Sequence, residues 1–558
     1  MNLNKHYKFF LVASFIMSIS FFSVSRNRFK NFDDISFITV SEIGRNDSEY
    51  ISKNQYSIDV LHYDIYLKLD VNSKIIDGLT IIKLYSPIKD IDTIVLNFYD
   101  NMKISSLSIN NRSVDFNQSN NKIFIPHKLI NSDTVSVLIK YHGTPKRVGL
   151  SGFVFGSING NSLVYNINEP EHASSWFPCN DIPSDKALLD MRIENSKKFI
   201  SVSNGKLISE NETDSTRIFH YKTFYPISTY LISVYSSEYS VLKDYYINSQ
   251  KDTLPLFYYV LPGQEEKAKI DFEEHPSMLR FLSDTFGEYP FMKEKYAVAV
   301  FLWQMGAMEN QTVTGLGSNF ITGKKFFNDM LLHELAHHWW GNSVAPKEWK
   351  DIWLNEGFAT YSEALYNEWK FGETVLTNEM NKIKQDFSGI VYDPKNLFGN
   401  LVYNKGAWIL HMLRREVGDS TFFLMLNKYH KLYQYSSAST SDFIHIAEET
   451  SKLDLSLFFN QWLFNDFGFL NIIYDYKVKQ VNDKFVVELF IDQVELDKPY
   501  NFPLDVQFEF NNHNIEKTMR IDKMNNKFEF EFAEKPIAIK PDSKGWLLAN
   551  ISKKKSDK

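Results

Sequence analysis

The chain has 558 residues, 44% of them hydrophobic and 23% charged, enough for several packed cores and incompatible with a wholly disordered or fibrous protein. Lysine and arginine total 61 against 68 aspartates and glutamates, and the formal charge of −7 excludes the basic surplus of a nucleic-acid binder. The single cysteine, Cys179, excludes an internal disulfide and a thiolate metal cluster.

In chain order, Lys5 and Lys8 precede an uncharged apolar run from Phe9 to Ser25. This is the pattern of a secretory signal cleaved near Ser25 or, since 17 residues just suffice to span, of a retained membrane anchor. An exported protein, periplasmic or extracytoplasmic, is expected either way. Residues 26–55 read as a linker. Residues 56–259 carry the period-2 pattern of strands: His62–Val71 alternates, Asp77–Gly78 predicts a hairpin turn, and Leu79–Tyr85 returns. Beyond Pro262 the period changes. Glu265–Phe286 reads as helical, Tyr296–Trp303 as a strand, and Lys325 to Phe464 as mostly helical, so residues 260–470 form a second domain. Alternation resumes at Tyr474–Val478 and continues to Phe528–Phe532, predicting a β-sandwich over 471–552 before a lysine-rich tail, 553–558. The fold class is therefore multidomain, with separate α and β regions.

The chemistry concentrates in His333-Glu334-Leu335-Ala336-His337, within the predicted helical segment Lys325–Gly341. Residues four apart project from one helix face, so both imidazoles can hold one zinc ion while Glu334, about 100° round the helix, faces a bound water. Glu356 lies 19 positions after His337, at the start of a helical run to Trp369. It completes a His₂Glu set, that of a hydrolytic site rather than a closed structural one. One Zn2+ per chain, held by His333, His337 and Glu356, would lower the pKa of its water and polarise a carbonyl, with Glu334 carrying the proton in amide hydrolysis. Glu363, about two turns beyond Glu356, reads equally as a partner orienting a ligand histidine or as a solvated helix carboxylate. His338 leaves the ligand face and reads as structural; Trp339 and Trp340 read as core.

Together with Gly306-Ala307-Met308-Glu309-Asn310, these motifs resemble the gluzincin aminopeptidases that include aminopeptidase N and leukotriene A hydrolase. The likeness covers nearly the whole chain after the N-terminal segment. It implies a saddle-like all-β N-terminal domain, a thermolysin-like, mainly helical zinc domain and a small C-terminal β-sandwich. It also implies that Glu309 binds a peptide's free α-amine while Gly306, Ala307 and Met308 line the first pocket. The charge logic agrees, since an α-amine with a pKa near 8 is largely cationic at neutral pH and a carboxylate one residue's length from zinc selects it. By the same resemblance Glu169, in Asn168-Glu169-Pro170, is a second amine-binding acid, although Ile167 stands where many relatives have glutamine. Tyr403, in Tyr403-Asn404-Lys405-Gly406-Ala407, is the implied oxyanion donor, with Asn404 in place of a usual glutamate.

The expected activity is removal of the N-terminal residue from peptides with a free N-terminus. Rival readings are an endopeptidase or an epoxide hydrolase on the same scaffold, and an inactive peptide-binding scaffold. Many relatives carry a further large helical domain over the active site. The three regions use up this chain, so no such domain and a more open cleft are expected.

Overall fold

The computed structural model describes residues 51–158 and 160–555, and the apolar run expected to be a signal or anchor lies outside them. Among the described residues no helix is long and apolar enough to cross a membrane. They fall into two compact units, one of residues 51–349 and 430–439, the other of residues 350–429 and 440–555.

In the first unit, alternation builds the sheets. Asp59–Asp70 buries Tyr63, Ile65, Leu67 and Leu69 on one face. It pairs antiparallel with Ile75–Tyr85 and parallel with Lys186–Ser196 at the centre of a nine-stranded sheet. The predicted turn at Asp77–Gly78 is wrong, because both residues lie inside Ile75–Tyr85 and the chain reverses at Val71–Lys74. Lys74 there adopts a left-handed φ of 58°. Gly78 serves the sheet instead: it pairs with Tyr141, whose ring would stand 2.2 Å from any Cβ added at 78. A five-stranded sheet includes Ser151–Ile158, Asn161–Ile167 and Tyr235–Ser237.

The boundary expected at residue 259 also needs correction. Ser240–Ile247 and Thr253–Val260 share one five-stranded sheet with Tyr296–Phe301, Val313–Gly317 and Ala307–Met308. Thr253–Val260 and Tyr296–Phe301 pair in parallel across that boundary, and local periodicity carries no record of so distant a pairing. The helical run expected over Glu265–Phe286 is two helices, α1 (Glu265–Asp271) and α2 (His275–Phe286). Pro276 in the first turn of α2 lacks an N–H and blocks a continuous helix. The Asp271 carboxylate accepts backbone N–H groups of Thr322, Gly323, Lys324 and Lys325. This wraps 322–325 into a turn, so α3 begins only at Asn328 and runs to Ala336, shorter than the predicted Lys325–Gly341.

The second unit contains α4 (Trp353–Phe371), α5 (Glu373–Lys382), α6 (Gly406–Val417), most of α7 (Asp419–Tyr433), α8 (Thr440–Ser451) and α9 (Ser456–Trp462). Its remaining residues form the expected sandwich. A four-stranded sheet (Asn525–Phe532, Lys484–Val494, Leu470–Val481, Ala549–Lys553) faces a three-stranded one (Asn514–Ile521, Phe502–Glu509, Ala538–Pro541). Phe508 of the smaller sheet packs on Phe530 and Phe532 of the larger, centroids 5.1 and 4.8 Å apart.

Candidate active site

α3 is embedded, with Met330 through Ala336 all buried. Its one-turn spacing brings the His333 and His337 rings to 4.7 Å between centroids, inclined at 78°. His337 Nδ1 lies 3.0 Å from the Trp340 carbonyl oxygen. A proton on Nδ1 donated there leaves Nε2 with its lone pair for a metal. Glu334 is buried between the two histidines in sequence, and Glu356 is buried in the first turn of α4. Among the described residues, His333, His337 and Glu356 form a group that could hold a metal ion, with one ligand atom of each within 4.8 Å of the others. Two imidazoles and one carboxylate are the donor set zinc accepts at hydrolytic sites. Glu169 and Glu309, the two acids expected to bind an amine, offer carboxylate oxygens within 4.8 Å of each other.

Glu309 follows the two-residue strand Ala307–Met308, in which Ala307 pairs with Leu316 and Met308 with Gly315. Its backbone carbonyl accepts a 2.7 Å bond from Asn342 Nδ2. Glu169 follows Asn168, whose side chain donates to the carbonyls of Thr229 and Ile232 and accepts from Trp176 Nε1. Ile167 is buried at the end of its strand. Tyr403 sits half-buried in a π-helical turn, Leu401–Lys405, a geometry frequent at functional sites. That turn is anchored by Lys405, whose Nζ donates to the carbonyls of Gly389, Asn465 and Phe467. Burial lowers the Lys405 pKa to about 8. Glu363 is half-buried on α4.

His338, expected to be structural, is wholly buried, and burial lowers its pKa to about 3. The neutral ring faces the Glu334 carbonyl through Nδ1 and accepts the Thr312 N–H at Nε2. Trp339 and Trp340 are core, as expected, with Trp339 Nε1 donating to Gly287. Cys179 is buried and its thiol is pushed well up by burial, an inert core group. No sequence signal marks Asn342 or Thr312 as positioning groups, whereas Lys405 lies in the Tyr403–Ala407 string without its anchoring contacts being legible there. Each acts on backbone atoms, which every residue type possesses.

The Peptidase M1 N-terminal domain model matches residues 60–231 and the Peptidase family M1 domain model matches residues 270–462, together more than half of the chain. The chain belongs to peptidase family M1. The probable aminopeptidase 2 of Sulfurisphaera tokodaii is 26% identical over 434 residues, covering 73% of this chain and 54% of that protein. The glutamyl aminopeptidase of Sus scrofa is 29% identical over 338 residues, covering 55% of this chain and 35% of that protein. The chain spans about half, or less, of the length of these M1 relatives. Among solved structures, an M1 zinc metallopeptidase from Deinococcus radiodurans bound to a Tyr-Ser-Ala substrate aligns with a TM-score of 0.67 at 24% identity. The alignment covers 74% of this chain and 95% of that one. Legionella pneumophila aminopeptidase A in complex with aspartic acid aligns with a TM-score of 0.78 at 20% identity, covering 90% of this chain and 60% of that one. The M1 fold, an N-terminal all-β region followed by a helical catalytic region, is therefore common to these proteins and this chain.

Proposed function

We propose that this M1 family member is a zinc-dependent aminopeptidase that releases the N-terminal residue of peptides. The observation that carries the reading is the His333–His337–Glu356 group that could hold a metal, with Glu309 tied to the turn of His337 through Asn342. The aminopeptidase names of its relatives support it. Zinc held by His333, His337 and Glu356 supplies a Lewis acid for water and the scissile carbonyl. The rest is done by the chain's own side chains. Glu309 and Glu169 hold the substrate ammonium by charge, which sets the cut one residue from the N-terminus. Glu334 takes a proton from the attacking water and returns it to the leaving amine. Tyr403 donates its phenol hydrogen to the developing oxyanion, and Gly306, Ala307 and Met308 border the first side chain. We further propose that Glu363 orients one ligand histidine, and that the protein is exported, with residues 9–25 as signal or tether.

The test is hydrolysis of an aminoacyl p-nitroanilide and of its N-acetylated form, each with and without a chelator. Turnover confined to the free-amine substrate, abolished by chelation and restored by zinc, is the expected outcome. Glu334→Gln should keep the metal and lose at least ~100-fold in kcat. Equal cleavage of the capped substrate would mean an endopeptidase, and undiminished activity in Glu334→Gln would defeat the mechanism.

A further inference from the structure

We propose that His338 and Thr312 are positioning residues that set the distance between the amine anchor Glu309 and the metal-binding histidines; the inference rests on the amine-binding role of Glu309 given above. Thr312 lies three residues after Glu309 and has φ 65°. A β-branched side chain is sterically disfavoured in that left-handed region, where glycine or asparagine would be at ease. Such a conformation persists when the surroundings over-determine it, and such residues gather at functional sites.

Here every polar atom of Thr312 is engaged. Its N–H donates to His338 Nε2 at 3.0 Å, its carbonyl accepts from Ala297 N at 3.0 Å, and its Oγ1 accepts from Gly205 N at 2.9 Å. The intervening residues are tied as firmly. Asn310 Oδ1 accepts from the Tyr235 hydroxyl at 2.6 Å, and the Gln311 carbonyl accepts from Asn204 Nδ2 at 2.7 Å.

Two of the ties come from the turn that ends α3. His338 is the residue after His337. Asn342, which holds the Glu309 carbonyl at 2.7 Å, donates its own backbone N–H to the His337 carbonyl at 2.9 Å. The segment 309–312 therefore hangs at both ends from the residues that carry His337. Its far side rests on the strand and loop residues Tyr235, Asn204 and Gly205. A change at the His338–Thr312 bond shifts Glu309 against the metal set without touching any ligand atom.

The test compares holoenzymes of wild type, His338→Leu, His338→Gln, Thr312→Gly and Glu309→Ala for inhibition by two metal-directed probes. Leucine hydroxamate carries a free amine and acetohydroxamate does not; metal content is measured alongside. His338→Leu removes the acceptor of the Thr312 N–H, and Thr312→Gly frees the turn to relax. Each should weaken leucine hydroxamate about tenfold, the factor for one buried hydrogen bond, while acetohydroxamate stays within about twofold and metal content is unchanged. Glutamine retains an acceptor, so His338→Gln should recover part of the loss. Should the leucine variant fail to fold, Thr312→Gly carries the test, because glycine takes this φ without strain. Wild-type inhibition by leucine hydroxamate in the Leu and Gly variants, or an equal loss for both probes, overturns the inference. If Glu309→Ala keeps the preference for the amine-bearing probe, the amine-anchor reading itself falls. If it abolishes that preference while the Leu and Gly variants keep it, only the ruler is wrong.

Discussion

Gly357→Ala isolates one backbone contact. Gly357 follows the metal-set residue Glu356 on α4, and a Cβ added there would stand 2.9 Å from both Cα and C of Gly406 and 3.2 Å from the Val402 carbonyl oxygen. Non-bonded carbons rest at about 3.5–4.0 Å, so the substitution must part the two backbones by roughly 0.6–1 Å. No rotamer change can absorb this, because the obstacle is main chain. Overpacking of this kind costs about 1–3 kcal/mol, offset by about 1 kcal/mol from replacing a helical glycine. The net is a loss of ~2 kcal/mol at most, and the melting temperature should fall by no more than about 8 °C. The catalytic effect should be far larger. Gly406 heads α6 directly after the π-helical turn bearing Tyr403, so Tyr403 moves against Glu356 by nearly the imposed displacement. A misplacement of ~1 Å costs up to about 10²-fold. Steady-state kinetics on leucine p-nitroanilide, with metal content and calorimetry on the same samples, should show kcat down roughly 10–100-fold and KM little changed. The reciprocal Gly406→Ala, whose Cβ would lie 3.0 Å from Gly357 Cα, should behave alike. Wild-type kcat in both variants would refute the idea that this approach of α4 and α6 sets the site.

Other expectations follow from single groups. Tyr403→Phe should lower kcat by about 10²–10³-fold with KM nearly unchanged, as loss of an oxyanion donor does; a change confined to KM would place the phenol in substrate binding. Lys405→Met deprives three backbone carbonyls of their shared donor. It should cost about 1.5–3 kcal/mol and reduce kcat along with stability, and full activity in a destabilised variant would separate Lys405 from Tyr403. His275 is buried against Phe272 and Tyr258, neither ring nitrogen has a hydrogen-bond partner among the described residues, and burial lowers its pKa to about 3. Because an unfolded histidine titrates near 6.5, acidification protonates the unfolded chain first, and this residue removes stability progressively from pH 6.5 down to about 3. At pH 5 the loss is about 2 kcal/mol, 1.36 kcal/mol for each of ~1.5 pH units. Denaturant unfolding should show His275→Phe gaining that amount over wild type at pH 5 relative to pH 7.5; an equal difference at the two pH values would contradict it.

Sequence alone determined the parts whose geometry is local. The placement of His333 and His337 one turn apart follows from helical pitch. Glu356, Glu309 and Tyr403 are expected site residues because their neighbours form recognisable strings, and the sandwich strands are legible by alternation. Misreadings arose where local chemistry was misleading or silent. Asp77–Gly78 looks like a turn, yet Gly78 is a glycine because Tyr141 lies over it. Residue 259 looks like a boundary, yet Thr253–Val260 pairs with Tyr296–Phe301. Tertiary structure alone decided how the site is held: the strained Thr312 bonded to His338, the Asn342 bond to Glu309, the Lys405 anchor and the contact of Gly357 with Gly406. Each of these is made to or between main-chain atoms far apart in sequence. Main-chain donors and acceptors are nearly the same at every position, so no residue pattern encodes which pairs meet.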